Sequence, residues 1–348
     1  MARRARPRLE PEEQRPPGRR ATSYDVARLA GVSQSAVSRC FKPGASIAAS
    51  TRDKVLAAAR TLNYQPNAIA QGLITRRSNL VAVLISSLTN LYYPEVLSEL
   101  TARLSLRGIR VLLFAVRQES EVDEVLDQVW RYRVDGAIAA VRLSDAQLET
   151  FARNGVPVVL YNRIGQQTPA CSVVCDNAAG ERLLVDGLVA AGRRRFGVIA
   201  GPGDSYVGEE RVREALARLA HHGLEAAVVR GGFDYASGGE GLARLVDQNP
   251  GGLDAVICAN DLMAIGAIDA ARARGLDADA LAIVGFDGVG PATWAAYTLT
   301  TIAQPVQRMA EAAVSMVIER IDKPDLPPER RLFVGELLTG RSARLILP

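Results

Sequence analysis

The chain contains 348 residues, of which 48% are hydrophobic, and its 42 basic against 38 acidic side chains give a net charge of +4. This length allows two or three folding units with a large core. No apolar run reaches the roughly 18 residues needed to span a bilayer, and the N-terminus lacks the apolar segment of a secretory signal, so we expect a cytoplasmic protein that does not enter a membrane.

Residues 1–20 are rich in Arg, Pro and Glu and poor in large apolar side chains, which predicts a disordered tail. The seven arginines of this tail could add non-specific affinity for DNA. A solvated segment without a specific role and a wrongly assigned start codon remain open alternatives.

Three short helices are predicted after the tail. Thr22 is a good N-cap for the first helix, and Asp25 lies in the first turn, where a carboxylate faces the positive helix end. The apolar residues Val26, Leu29 and Ala30 recur at helical spacing and predict its inner face.

A second helix follows Gly31, which ends the first. Ser33 is its predicted N-cap, the helix runs from Ser35 to about Phe41, and Val37 faces the core. Two short helices joined by a glycine-containing turn match the helix-turn-helix pattern. The polar positions of the second helix include Gln and Arg, which can bind base edges in a major groove, and they are Gln34, Ser35, Ser38 and Arg39.

Ser50 and Asp53 repeat the cap and the acid at the start of a third helix. Its inner face would close a three-helix core through Val55, Leu56, Ala59 and Leu62. The helices alone also fit any small helical subdomain with a solvated polar face. The charge distribution favours a DNA reader, because residues 1–77 carry a net charge of +10 and residues 78–348 a net charge of −6.

From Asn79 onward, apolar segments of strand length alternate with amphipathic helices. Strands are predicted at 80–86, 109–116, 135–141, 156–162, 196–201, 225–230, 254–260 and 280–287. Helices are predicted at 93–107, 119–132, 179–191, 209–222, 238–248, 261–274 and about 305–321. Continuous apolar strands between helices indicate parallel sheets covered on both faces. The predicted fold is therefore α/β: an all-α helix-turn-helix headpiece followed by a two-lobed core of doubly wound parallel sheets, with a ligand site in the cleft at the strand ends.

Little in the chain indicates catalysis. The four cysteines, Cys40, Cys171, Cys175 and Cys258, lack disulfide or zinc spacing and are expected to be buried thiols. No phosphate-binding GxxxxGK[ST] or nucleophile-elbow GxSxG occurs, and the glycine-rich GPGDSYVG at 201–208 lacks dinucleotide-binding spacing. We therefore expect no catalytic residue, no metal and no cofactor.

Residues 22–73 resemble the headpiece of the LacI/GalR family of bacterial repressors. The matching segments at fixed spacing are Ala30–Ser33, Val37–Arg39, Thr51–Val55 and Asn63–Asn67. Further matches extend to about residue 345: VDG at 134–136, CDN at 175–177, ANDLMA-x-G at 259–266, VGFD at 284–287 and LTTI-x-QP at 299–305. The resemblance implies a core like that of periplasmic sugar-binding proteins, with chain crossovers near residues 162, 304 and 333.

The same resemblance implies DNA contacts by position. Gln34, Ser35 and Arg39 would touch base edges. Phosphate contact or support would come from Thr22, Tyr24, Ser33, Ser38 and Asn67. Pro66 would begin a hinge helix and Leu73 would be an apolar wedge in the minor groove. The expected partner is double-stranded DNA with a palindromic operator, read by a homodimer.

An effector site between the lobes is also implied. Its candidate residues are Asn90, Tyr92, Tyr93, Arg163, Arg211, Phe233, Asn260, Asp287 and Gln304. Plainer roles stay open: Asn260 could cap a helix and Asp287 could be a turn residue. Arg211 could form a surface ion pair, and Phe233 could belong to the core. Arg163 indicates room for an acidic group, although such an arginine more commonly forms a salt bridge.

The predicted organisation is a tail at 1–20, a helix-turn-helix domain at 21–65, a hinge helix and linker at 66–78 and an effector-binding and dimerisation core at 79–348. Lobe 1 would cover about 79–161 and 306–333, and lobe 2 about 162–303 and 334–348. We expect a transcriptional repressor whose operator affinity is controlled by a small polar effector, a sugar or a sugar acid. The alternatives are a regulator that senses no effector, and a small-molecule-binding protein or enzyme with a fused DNA-binding head.

Overall fold

The computed structural model describes residues 20–42, 44–65, 77–86, 88–116 and 121–347. The chain divides into two compact units, with the boundary between Ser78 and Asn79. Asn67 and Leu73, two of the predicted DNA contacts, lie outside the described residues, as do most of the predicted hinge and tail.

The described residues of the first unit contain three helices: α1 (Ser23–Ala30), α2 (Gln34–Cys40) and α3 (Ala49–Thr61). They share a buried core that consists of Val26, Ala27, Val37, Cys40, Val55, Ala58 and Ala59. The predicted position of Leu29 is wrong, because this side chain is 54% exposed. The buried stripe of α1 is centred on Val26 and Ala27, and Leu29 lies about 160° around the helix from Ala27.

The helix caps agree with the sequence prediction at α1 and α2. Thr22 Oγ1 accepts from Asp25 N, and Asp25 Oδ2 accepts from Thr22 N, so both halves of a capping box are present. Ser33 Oγ accepts from Ala36 N at 3.2 Å. Ser50 is not a cap, because α3 already begins at Ala49 and its N-cap residue Ala48 offers no side-chain hydrogen bond.

The second unit alternates strands and helices. Its strands are β1 (Leu80–Ser86), β2 (Arg110–Val116), β3 (Gly136–Ala140), β4 (Val158–Tyr161), β5 (Cys171–Cys175), β6 (Phe196–Ala200), β7 (Ala226–Arg230), β8 (Ala255–Cys258), β9 (Ala282–Asp287), β10 (Thr300–Ala303), β11 (Arg330–Phe333) and β12 (Glu336–Leu338). Its helices are α4 (Tyr92–Leu106), α5 (Val122–Arg131), α6 (Asp145–Arg153), α7 (Asn177–Ala190), α8 (Tyr206–His221), α9 (Tyr235–Gln248), α10 (Asp261–Arg272) and α11 (Val306–Asp322), with a 3₁₀ turn at Gly290–Thr293.

These strands form two six-stranded sheets, one in each lobe. The first sheet has the order β11-β5-β4-β3-β1-β2 and is parallel throughout. The second has the order β12-β10-β9-β8-β6-β7, and β12 is its antiparallel edge strand. Because β2 pairs with one side of β1 and β3 with the other, the strand order reverses at β1 and the sheet is doubly wound, as predicted.

The structure contains elements that the sequence pattern did not predict: α6, β5, β10, β11 and β12. The four strands have three to five residues each, too few for a periodic signal. β5 changes the expected division of the lobes, because it pairs within the first sheet. The chain therefore leaves lobe 1 after Cys175 rather than near residue 162. The other two crossovers, after Ala303 and after Phe333, lie where the resemblance implied.

All four cysteines are buried and unbonded, as expected. Burial raises the pKa of the Cys175 thiol to about 12, which makes this thiol unreactive at neutral pH. Among the helices in the described part of the chain, none combines the length and apolar character required to cross a membrane.

The caps of the headpiece can be tested with two matched substitutions. Thr22→Ala removes the capping box of α1 and should lower the free energy of unfolding of the headpiece by about 0.5–2 kcal/mol. Ser50→Ala should be neutral, because the Ser50 hydroxyl caps nothing. Amide hydrogen exchange within α1–α3 of the whole protein measures both effects. Equal losses in the two variants would contradict the capping assignment.

Candidate functional site

The outer face of α2 presents polar side chains to solvent. Four of the predicted DNA contacts are exposed on this face: Gln34, Ser35, Ser38 and Arg39. The opposite face is buried through Ala36, Val37 and Cys40. Tyr24 on α1 is also exposed, at 69%. The side chains predicted to read bases therefore share one surface that the headpiece core does not use.

A cavity of about 920 Å³ lies between the two lobes of the core, at the carboxyl ends of their strands. The structure brings eight of the nine predicted effector residues to its lining: Asn90, Tyr92, Tyr93, Arg163, Arg211, Phe233, Asp287 and Gln304. These residues come from both lobes and from the crossover at 304. This volume is within the range of small-molecule sites, which are about 300–1,000 Å³.

A buried ion pair lies on the lobe 2 side of the cavity. Arg211 Nη2 is 2.8 Å from Asp287 Oδ1, and the two side chains are 3% and 2% exposed. Arg211 also donates to Ala259 O at 2.7 Å and to Asn177 Oδ1 at 3.1 Å, and its guanidinium lies 3.9 Å from the centre of the Phe286 ring. Burial alone would lower the pKa of Arg211, but the charge of Asp287 and the hydrogen bond between them leave it raised. Arg211 is thus a buried cation rather than part of a surface ion pair.

Asp287 combines an unusual backbone with an unused acceptor. Its φ of +117° lies in a region that residues other than glycine rarely adopt, and such conformations cost about 1–3 kcal/mol. Its Oδ2 atom is buried and has no hydrogen-bond partner among the described residues. A buried carboxylate oxygen without a partner is costly, so a ligand hydroxyl that donates to this oxygen would stabilise the site.

Gln304 joins the ion pair to lobe 1. Its Nε2 donates to Asp287 Oδ1 at 2.8 Å. Its Oε1 accepts from the Tyr92 hydroxyl at 3.0 Å and from Asn162 Nδ2 at 2.8 Å. Asn162 Oδ1 in turn accepts from Cys175 N at 2.9 Å. One continuous set of buried hydrogen bonds therefore runs from lobe 1 to the ion pair in lobe 2.

Two further predicted residues are held firmly at the cavity wall. Arg163 is 2% exposed and donates to Asn162 O at 3.0 Å and to the Tyr93 hydroxyl at 3.4 Å. Phe233 is 8% exposed and belongs to the core cluster of lobe 2 while also lining the cavity. Its ring lies against Gly201, where any Cβ atom would collide with it. Phe233 therefore serves the core and the cavity wall at once.

Asn260 does not line the cavity. It is fully buried, its Oδ1 accepts from Met263 N at 3.0 Å at the start of α10, and its Nδ2 donates to Phe233 O at 3.0 Å. Both ends of its amide are therefore engaged. The plainer alternative, a helix cap, accounts for Asn260, which also fixes the backbone of Phe233.

Other polar residues line the cavity without having been predicted. Asp204 and Ser205 belong to the glycine-rich segment 201–208, and this segment connects β6 to α8, whose N-cap is Ser205. Asn162 follows β4 directly. Their positions in the sequence could have identified these residues, because each of them follows a strand whose carboxyl end faces the cleft.

Two more carboxyl groups are buried behind the cavity. Burial raises the pKa of both Glu181 and Asp261 to about 8, and the charge of Asp287 adds to the shift of Asp261. Asp261 Oδ1 accepts from the Thr301 hydroxyl, and Glu181 Oε2 has no partner among the described residues. Both groups therefore hold a proton near neutral pH, which leaves Asp287 as the carboxylate that faces Arg211.

The buried proton on Glu181 makes the free energy of unfolding depend on pH. Its pKa is raised from 4.5 to about 8 in the folded state, so folding takes up a proton and the free energy of unfolding falls as pH rises between these values. Glu181→Gln removes this titration. Its stability relative to wild type should therefore increase with pH across this window, by at most about 1.4 kcal/mol per pH unit.

Urea unfolding across the same pH range measures this difference. Glu240→Gln, which alters an exposed glutamate on α9, is the matched control and should run parallel to the wild type. A constant difference between Glu181→Gln and wild type at all pH values would contradict a protonated Glu181.

Comparison with known proteins gives two family matches. Residues 22–67 match the model of the bacterial regulatory proteins of the lacI family. Residues 185–343 match the periplasmic binding protein-like domain. The matches cover the headpiece and most of lobe 2, which contain Arg211, Phe233 and Asp287, while Asn90, Tyr92, Tyr93 and Arg163 lie outside them.

Individual relatives extend the match over nearly the whole chain. The HTH-type transcriptional regulator CelR of Thermobifida fusca is 31% identical over 336 residues, which cover 93% of this chain and 98% of that protein. The Lac repressor dimer bound to operator and the anti-inducer ONPF has a TM-score of 0.84 at 26% identity, with 93% and 99% of the two chains covered. A CelR–cellobiose complex has a TM-score of 0.70 at 29% identity, with coverage of 93% and 100%.

A helix-turn-helix headpiece followed by a periplasmic-binding-protein-like core defines a class of DNA-binding transcriptional regulators. The chain belongs to the lacI family of this class.

Proposed function

We propose that this regulator is a repressor that binds a palindromic operator as a homodimer and is released when a sugar or sugar acid occupies the cavity between its lobes. The observation that carries the effector part of the proposal is the buried carboxylate of Asp287. It lines the cavity with one oxygen bound to Arg211 and Gln304 and the other without a partner among the described residues.

The chemistry of the cavity supports a polyhydroxylated ligand. Carboxylate, guanidinium and amide groups supply paired hydrogen-bond donors and acceptors, while the rings of Phe233, Tyr92 and Tyr93 supply apolar faces. Arg163 and Arg211 also allow for an acidic substituent. The CelR relative has been solved with cellobiose, and we extend the sugar class, but not this particular sugar, to the present chain.

The surface of α2 supports the DNA part of the proposal. Its four exposed polar side chains lie within residues 1–77, which carry a net charge of +10. A positive charge attracts DNA phosphates. A single reader helix of seven residues makes few base contacts, so a two-fold dimer on a palindromic site is required for specificity. The Lac repressor neighbour was solved as a dimer on its operator.

The hydrogen bonds through Gln304 support a mechanism of release. A ligand that bonds to Asp287 or replaces Gln304 changes the contacts that tie lobe 1 to lobe 2. The two lobes then settle in a different relative position, which weakens operator binding. A coupling of about 1–3 kcal/mol corresponds to about 5–150-fold regulation. In this proposal the cavity serves binding rather than catalysis, and the protein works in the bacterial cytoplasm, where an operator would be accessible to it.

Base reading by α2 can be tested at Arg39. Arg39→Ala should weaken operator binding by about 1–3 kcal/mol and relax the preference at one base pair. Arg60→Ala, which removes the same charge from the exposed face of α3, should change affinity little and leave the preference intact. Fluorescence anisotropy against an operator and its single-base variants measures both. If Arg39→Ala lowers the affinity equally for the operator and for all its single-base variants, Arg39 contacts phosphate instead of a base.

The effector site can be tested at Asp287. A ligand at 100 times its dissociation constant raises the free energy of unfolding by about 2.7 kcal/mol. Asp287→Asn should lose most of this stabilisation, because the amide cannot offer a charged acceptor to ligand hydroxyls. Thermal unfolding with and without each member of a panel of sugars and sugar acids measures the effect against the variant's own baseline.

Asp186→Asn is the control for Asp287→Asn. It alters another aspartate that binds an arginine, Arg218, but on α7 and outside the cavity lining, so it should respond as the wild type does. If Asp287→Asn keeps the full response, the proposed site is misplaced. If the wild type responds to no ligand in the panel, a regulator that senses none of these sugars is favoured.

A further inference from the structure

A second cavity, of about 460 Å³, lies within lobe 2. It is formed by the start of β9, the last turn of α10 and the loops around residues 275–278, 296–298 and 341–342. The first cavity contains Asp287, the last residue of β9. A six-residue strand spans about 16–20 Å, so the two cavities lie at opposite ends of β9 and are separate sites.

Two arginines line the rim of this second cavity. Arg272 at the end of α10 donates from Nη2 to Ala296 O. Arg341 donates from Nη2 to Ala295 O at 2.9 Å and from Nε to Thr298 Oγ1 at 3.1 Å. The two guanidiniums therefore bind consecutive carbonyl groups of one loop at the cavity rim.

Two acidic side chains lie at this cavity: Asp269 is paired with Arg272, and Asp277 belongs to the lining, where its Oδ1 accepts from Asp279 N and Ala280 N. Asp269 lies 3.2 Å from Arg272 and also accepts from the hydroxyls of Tyr235 and Tyr297. For Arg341, no carboxylate lies within ion-pair distance in the part of the chain that the structure describes. Arg341 is thus a cation at the cavity rim without an acidic partner among the described residues, and such a cation attracts an anion. Guanidinium groups bind the oxygens of carboxylate and phosphate groups.

The floor of the cavity is apolar. It is formed by Ile268, Ala271, Leu276, Leu281 and Ile283. The Tyr297 ring adds an aromatic surface, 5.6 Å from the Arg272 guanidinium. A ligand that fits must therefore carry a negative group at one end and an apolar body at the other. A sugar, which is polar on nearly all sides, suits this cavity poorly.

We propose that the second cavity binds a small molecule with an aromatic or aliphatic body and a terminal oxyanion, a carboxylate or a phosphate. The oxyanion lies against Arg272 and Arg341, and the body lies on the apolar floor. This site is independent of the proposed sugar site, since the two cavities share no lining residue.

Isothermal titration of the full chain with 1-naphthoate, 1-naphthyl phosphate and neutral 1-naphthalenemethanol tests the proposal. We expect one molecule of an anionic probe to bind per chain, and the neutral alcohol to bind at least tenfold more weakly. The probe that binds with the higher affinity shows whether the site prefers a carboxylate or a phosphate. No binding of either anion at millimolar concentration, or equal binding of the alcohol, overturns the proposal.

Three variants locate the site. Arg341→Gln should lower the affinity for the anionic probe at least tenfold. Ala278→Trp keeps both arginines but fills the cavity from its rim, and it should lower this affinity by a similar factor. Arg274→Gln removes an exposed arginine of the same region that is not in the lining and should change affinity less than twofold. Unchanged binding in Ala278→Trp, or an equal loss in Arg274→Gln, shows that the probe binds elsewhere and overturns the proposal.

Discussion

The buried ion pair of Arg211 and Asp287 is the constraint on which the cleft depends. Taking two charges out of water costs several kcal/mol for each ion, and loss of one partner typically costs about 3–5 kcal/mol. The pair persists because its remaining donors and acceptors are largely engaged, with Asn177, the Ala259 carbonyl and Gln304 as neighbours. Among the described residues, Oδ2 of Asp287 is the atom of this pair that has no hydrogen-bond partner. The cavity therefore contains a strong hydrogen-bond acceptor, Asp287 Oδ2, at the point where an effector would bind.

The fold explains how such distant residues meet. Parallel strands bring all their carboxyl ends to one edge, so Tyr92, Asn162, Asp287 and Gln304 converge although the first and last are 212 positions apart. Gln304 lies where the chain passes from β10 back to lobe 1, and its amide bonds to both lobes at once. Because the Gln304 side chain bonds to both lobes at the cavity, we propose that occupancy of the cavity changes the relative position of the lobes.

Long buried strands such as Leu80–Ser86 and Ala282–Asp287 were predictable, because a strand covered on both faces reads as an unbroken apolar run. The short strand Cys171–Cys175 was not, and with it the first crossover was misplaced. The family resemblance led to eight candidates that the structure places in the cavity lining, where contact with an effector stays a prediction. It could not distinguish Asn260 from a helix cap, because a side-chain amide can fill either role. The protonation of Glu181 and Asp261 depends on burial that only the packed structure reveals. For the predicted DNA contacts, the structure shows that the candidates on α2 are exposed, and their contact with DNA stays a prediction, as it does for Asn67 and Leu73.

The most direct measurement is operator affinity, by fluorescence anisotropy, with and without a sugar that stabilises the protein. Effector control through the cavity predicts a fall in operator affinity of about 5–150-fold at saturating sugar. By linkage, operator DNA must lower the affinity for the sugar by the same factor. A sugar that binds in the cavity and leaves operator affinity unchanged would contradict the claim that this cleft controls DNA binding.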